Sequence, residues 1–107
     1  MTAPFQLLGQ WISAAHAANT NGQFEAAAGL CKQALKVAPN LPEAWYNLAI
    51  AHRGLGRKSE ALDALKKTAT LTRDSADAQN SVGLEFLELG AYPEAKRYFE
   101  RAIALAP

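Results

Sequence analysis

A chain of 107 residues has room for one folded unit and not for several independent ones. Half of its residues are apolar and a fifth are charged, which is ordinary for a folded protein and far from a disordered composition. Eleven Lys and Arg against ten Asp and Glu leave a net charge of +1, too weak a field to draw in a phosphate backbone, so nucleic acid is not an expected partner.

Thr2 followed by Pro4 signals a helix start, with Thr2 or Ala3 near the cap and the proline in the first turn. The helix should run to about Thr20, with Leu7, Leu8, Trp11, Ile12, Ala14, Ala15 and Ala18 in one broad stripe. The segment Phe5 to Ile12 is apolar enough to raise the question of a secretory signal. It lacks a basic leading region and is interrupted by Gln6, Gly9 and Gln10, so it reads as helix. No run approaches the roughly 18 apolar residues of a membrane span, and no membrane partner is expected. Asn19, Asn21 and Gly22 should end this helix.

A second helix is expected from Phe24 to Ala38, with Pro39 as its stop. Its Cys31 is the sole cysteine, so neither an intrachain disulfide nor a cysteine metal cluster can form, and a buried core thiol is expected. The third helix begins at Pro42 under an Asn40 cap, carries Trp45, Leu48, Ala49 and His52 inward, and halts at Gly54 and Gly56. Ser59 and Glu60 open the fourth, whose interior face is Ala61, Leu62, Leu65, Ala69 and Leu71. Its end, TATLT, is rich in β-branched residues and should be the least stable helix end in the middle of the chain. Asp74 or Ser75 caps the fifth, which buries Val82, Gly83 and Phe86 and ends at Gly90. Tyr92 and Pro93 start the sixth, with Ala95, Tyr98, Phe99, Ala102, Ile103 and Leu105 apolar. No segment alternates like a strand, so the fold class is all-α.

Shifting the sequence by 34 residues lays Trp11 on Trp45, Ala15 on Ala49 and Gly83, Gly22 on Gly56 and Gly90, and Ala27 on Ala61 and Ala95. Cys31 falls on Leu65 and Phe99, and two periods bring Pro39 onto Pro107. A fixed period of this size marks a repeat array, in which helix pairs too small to bury a face alone stack into one continuous core. Trp45, Leu48, Ala49, His52, Gly56, Ala61 and Leu65 at these spacings resemble the tetratricopeptide repeat. The resemblance covers three tandem units, about residues 8–41, 42–75 and 76–107, within a single domain over 1–107. Gln79 in place of the first bulky residue, Thr68 in place of a small one and Arg73 in place of proline bear on the tightness of the second-to-third junction.

The resemblance implies a right-handed superhelical solenoid of six helices. Its first helices would line a concave groove for a protein or peptide partner. The matching positions are Ile12, Ser13, His16 and Asn19, then Tyr46, Asn47, Ile50 and Arg53, then Asp77, Asn80, Ser81, Leu84 and Glu88. Asn47 and Asn80 can both donate to and accept from an extended backbone. One family variant grips a C-terminal carboxylate, but the matching positions here are Ile12, His16, Asn47, Asp77 and Ser81. Asn47 alone agrees and Asp77 has the wrong sign, so binding of a chaperone tail is not expected.

Chemistry-bearing groupings are absent from the pattern. His16 and His52 lie in different units, with His52 at a core position, and Glu85 and Glu88 lack a His or Cys partner at metal-ligand spacing. Gly54 and Gly56 before Arg57 and Lys58 lack the strand that a phosphate loop follows. No cofactor and no catalysis are expected. Phe99, Ile103 and Leu105 should leave an apolar edge on the last helix, suited to further repeats or to end-to-end association of copies. The expected function is therefore an interaction scaffold, located in the cytoplasm. The alternative is the targeting or substrate-presenting region of a larger enzyme, such as a bacterial glycosyltransferase or methyltransferase; a purely structural spacer is a third.

Overall fold

The computed structural model describes residues 4–106. Six helices follow in order: α1 Pro4–Thr20, α2 Phe24–Val37, α3 Pro42–Gly54, α4 Lys58–Leu71, α5 Ala76–Glu88 and α6 Tyr92–Leu105, with no strand among the described residues. The closest partners are α1 with α2, α3 with α4 and α5 with α6, and these pairs stack in chain order. The fold is an all-α helical-repeat solenoid. The Thr2 or Ala3 cap and the Pro107 match lie outside the described residues.

Each pair turns in the same way. Gly22, Gly56 and Gly90 all sit at φ 76°, in the left-handed region where a side chain would be strained. The next N–H reaches back to close the helix: Gln23 to the Ala18 carbonyl at 2.8 Å, Arg57 to His52 at 2.8 Å and Ala91 to Phe86 at 2.9 Å. This glycine-terminated closure satisfies carbonyls that would otherwise be orphaned. Gly54 is the last residue of α3, where the sequence put the stop. A Cβ there would lie 2.5 Å from the Phe24 ring, so its bareness also admits α2 against α3.

Helix starts agree with expectation at α5 and differ from it at α3 and α4. Ser75 caps α5, its hydroxyl accepting from the Ala78 N–H at 3.2 Å. The N-cap of α3 is Leu41 rather than Asn40, and that of α4 is Arg57, which puts Ser59 inside the first turn; neither has a side-chain cap. In the TATLT segment the hydroxyls of Thr68, Thr70 and Thr72 bond back to the carbonyls of Ala64, Lys66 and Thr68 at 2.9, 3.0 and 2.7 Å, and α4 runs to Leu71.

The core falls into two clusters. One joins Ala15, Ala18, Ala27, Ala28, Cys31, Leu48 and Ala51; the other joins Ala49, Ala64, Leu65, Ala69, Val82, Phe86, Ala91 and Ala95, and Trp45 packs against both. The junctions between units differ. Helices α2 and α3 meet over a long contact and α1 also touches α3, whereas α4 and α5 meet less and α3 barely reaches α5. At the first junction the Trp45 indole N–H donates to the Pro39 carbonyl at 2.8 Å. At the same repeat position Gln79, 0% exposed, donates its amide to the carbonyls of Ala69 and Thr72 at 3.1 and 3.2 Å. The bond to the preceding helix end is kept and the bulk is lost. A cavity of about 240 Å³ remains there between Ala69, Thr70, Arg73, Gln79, Tyr98 and Arg101.

Two expectations follow. Gln79→Ala removes both amide bonds to the end of α4, although the Thr72 carbonyl keeps the Ser75 N–H, and should lose about 1–3 kcal/mol of stability by urea denaturation. A Cβ on Gly83 would lie 2.7 Å from the Phe99 ring, so Gly83→Ala should destabilise by about 1 kcal/mol, overpacking outweighing helix preference. Adding Phe99→Leu, which recreates the Ala49–Leu65 pairing of the second unit, should make the double variant more stable than the sum of the two single changes predicts.

Candidate functional site

The first helices α1, α3 and α5 share a surface that is tied together by side chains reaching from one unit to the next. Asn19 Nδ2 donates to the Asn47 carbonyl at 3.0 Å. One repeat later, Arg53 Nε donates to Glu85 Oε1 at 2.8 Å, a part-buried ion pair between α3 and α5. The third residue of this series is Leu87, which is exposed. The Arg53–Glu85 pair thus bridges α3 and α5, whose residues also meet in the second core cluster.

The groove candidates divide accordingly. His16 and Asn80 are exposed, and Ile12, Tyr46, Ile50 and Ser81 are half-buried. Leu84, at 48% exposure, and Leu87, one turn on, form an apolar step on α5. Asn47 is only 7% exposed, and its Nδ2 donates to the Glu43 carbonyl at 2.9 Å, so its amide is committed inside α3. Its Oδ1 and that of Asn19 are buried without hydrogen-bond partners. Burial and the nearby Glu85 push the Tyr46 hydroxyl pKa up against the opposing pull of Arg53. Sequence reasoning placed Asn19 and Arg53 on this surface but not in these bridges. The 34-residue spacing that makes them equivalent was the available signal.

Other expected features have these positions. Cys31 is buried, and desolvation raises its thiol pKa to about 11, far from a reactive thiolate. His52 is 4% exposed, with Nδ1 3.7 Å from Glu60 Oε2, beyond hydrogen-bond distance. On the last helix Phe99 is half-buried against Gly83, while Ile103, at 71%, and Leu105 are exposed. No helix among the described residues is long and apolar enough to cross a membrane, and no group of three His, Cys, Asp or Glu among them is placed to hold a metal.

A stack of near-equivalent helix pairs with an inner surface of first helices defines a helical-repeat protein. The tetratricopeptide repeat family model matches residues 18–83, and a second model of the same description matches 76–107. The chain belongs to the tetratricopeptide repeat family. It is 34% identical over 92 residues to the Hsp70-Hsp90 organizing protein of Triticum aestivum, a match covering 86% of this chain and 16% of that relative. It thus spans about a sixth of the length of that curated relative. Among solved structures, the Sgt2 tetratricopeptide domain from Aspergillus fumigatus superposes with a TM-score of 0.78 at 24% identity, covering 92% of this chain and 65% of that one. An O-GlcNAc transferase mutant from Thermobaculum terrenum gives 0.81 at 23% identity over 100% of this chain and 21% of that one. The first tetratricopeptide domain of Spaghetti (RPAP3), bound to the HSP90 peptide SRMEEVD, gives 0.77 at 22%, over 95% and 81%. These likenesses establish the fold.

Burial lowers the His52 pKa from 6.5; Glu60 and Glu25 pull it up, and Lys32 and Arg57 push it down with the burial. The folded chain therefore holds this imidazole neutral at a pH where the unfolded chain protonates it. Stability should be full above about 6.5 and fall as pH drops below that value, and His52→Phe should flatten this part of a stability profile measured by thermal melts.

Proposed function

We propose that the chain is a non-enzymatic protein–protein interaction module whose first-helix surface forms a concave groove for an extended peptide or protein segment. A cytoplasmic setting belongs to this proposal. The observation that carries it is the Leu84–Leu87 step, exposed on α5 beside Asn80 and Ser81, on the same surface as Ile12 and Ile50. Apolar steps flanked by amide and hydroxyl groups suit a segment that buries alternate side chains while its backbone finds donors and acceptors. The wheat relative and the peptide-bound RPAP3 domain support the general reading. They do not transfer the ligand, because Ile12, His16, Asp77 and Ser81 stand at four of the five carboxylate-clamp positions and the amide of Asn47 is already bonded.

A second reading is favoured by the outer face of the last pair. A groove of about 410 Å³ runs between Ala76, Asp77, Asn80, Phe99, Ala102, Ile103 and Ala106, and Ile103 stands free on its rim. This face suits a further helix, either from additional repeats of a larger enzyme whose targeting region this is, or from a second copy packing end to end.

The test is selection from a random peptide library by the immobilised chain. Because Asn47 is buried, its replacement would confound stability with binding, so the diagnostic changes are Asn80→Ala and Leu84→Asp at exposed positions. Selected peptides should bind the double variant at least tenfold more weakly at unchanged thermal stability. Undiminished binding would refute the groove reading. A peptide ending in Glu-Glu-Val-Asp should not titrate at micromolar concentration.

A further inference from the structure

The junction between α2 and α3 is made of two halves, and the two outer faces of the stack each carry a copy of one half. The receiving half is a ridge on α2, where Cys31 and Ala34 are buried and Leu35 and Phe24 pack on the first cluster. Two repeats later the ridge recurs on α6 as Phe99, Ala102 and Ile103, beside the groove of about 410 Å³. Here it is uncovered: Ile103 is 71% exposed, against 4% for Ala69 at the same place in the second unit, and Tyr92, the counterpart of Phe24, is 64% exposed.

The inserting half is the face of α3 that holds Trp45, Leu48 and Ala51. Leu48 and Ala51 are buried in the first cluster, and Trp45 packs on it. On α1 the same positions hold Trp11, which is half-buried, and Ala14 and Ala17, which are exposed. The helix contains no Asp, Glu, Lys or Arg. An outermost helix that faces water calls for a polar outer side, and this one offers an indole and two methyl groups. A third observation links the two faces. Asn19 reaches the backbone of Asn47, and one repeat later Arg53 reaches Glu85. The next member of the series is Leu87, 44% exposed. If the following unit is the first unit of another copy, the places Leu87 reaches hold Ser13 and Ala17, both small and uncharged.

We propose that copies of this chain stack head to tail, α1 of one copy seated on α6 of another in the register of the α2–α3 junction. Trp11 and Ala14 enter the groove beside Ala102, Ile103 and Ala106, and Ala17 meets Leu87. This rests on the reading of the last pair as a seat for a further helix, and it names the occupant. The receiving side carries Asp77 on the groove and Lys96 at the place of Ala28 and Leu62. An uncharged α1 sets no like charge against either and buries no ion of its own. Thr20 stands at the place of Gly54, so Tyr92 cannot lie over it as Phe24 lies over Gly54, and the seam is weaker than the internal junction. Its two sides are different surfaces, and continuing a solenoid does not close a ring, so growth is open-ended. The first-helix surface then runs on from Leu84 of one copy to Ile12 of the next.

The experiment is sedimentation equilibrium of the full chain, whose average mass should rise with concentration past the dimer without a plateau. Ala14→Glu with Ala17→Glu blocks one face and Ile103→Glu the other, all at exposed positions. Each variant should associate at least about tenfold more weakly, with thermal melting unchanged in dilute solution. An equimolar mixture of the two variants keeps one intact seam and should form a dimer that grows no further. Thr20→Gly restores the clearance for Tyr92 and should tighten association. A wild type that stays monomeric or stops at the dimer, a mixture that fails to pair, or a Thr20→Gly chain that associates no more tightly would each overturn the proposal. A chain lengthened after residue 107 by a copy of residues 42–75 tells this failure from failure of the reading beneath it. If the wild type is monomeric and the lengthened chain melts higher, the face takes a further helix but not a second copy; if the melting point is unchanged, both are wrong.

Discussion

The structure depends first on how closely two helices of one unit can approach. Ala15 shares one core cluster with Cys31 and Ala49 the other with Leu65, while Gly83 lies against the Phe99 ring, so the smallest residue on a first helix goes with the largest on its second. The sizes compensate within each pair, and interiors this dense transmit any change in one member to the other. Only with that distance fixed can the glycine turns at φ 76° return the chain along the same axis three times, and only then do the units present matching faces to one another.

Between units the means vary. The first junction combines the Trp45 ring, which packs against both clusters, with a hydrogen bond to Pro39. At the second, Gln79 preserves the bond to the preceding helix and gives up apolar area. On the inner surface Asn19 and Arg53 perform one structural task with different chemistry, an amide-to-backbone bond in one case and an ion pair in the other. Equivalent places in a repeat array thus conserve reach and direction more than residue type.

Much of this was legible in the 34-residue period. It carried the six helices, their pairing, the glycine turns and the burial of His52 and Cys31, because a periodic apolar stripe is a local property. The caps were less legible: Asn40 has the right chemistry beside Pro42, yet the chain places Leu41 at the cap. Gly54 ends α3 as expected, but that its bareness also clears the Phe24 ring is a contact between units that a stop signal does not carry. Asn47 and Arg53 were expected on the inner surface from the family resemblance, but whether their polar groups are free depends on Glu43 and Glu85, contacts that neither resemblance nor period encodes.

The replacement of a ring by an amide at Gln79 also gives the two junctions different thermal characters. Apolar contact weakens on cooling, since its driving force is largely entropic near room temperature and carries a large heat capacity. At the Gln79 place two amide-to-carbonyl bonds stand where the first junction has an apolar ring, while Val82 and Phe86 still pack with Leu65 and Ala69. Cooling therefore takes less from this place in the second junction than from the Trp45 place in the first.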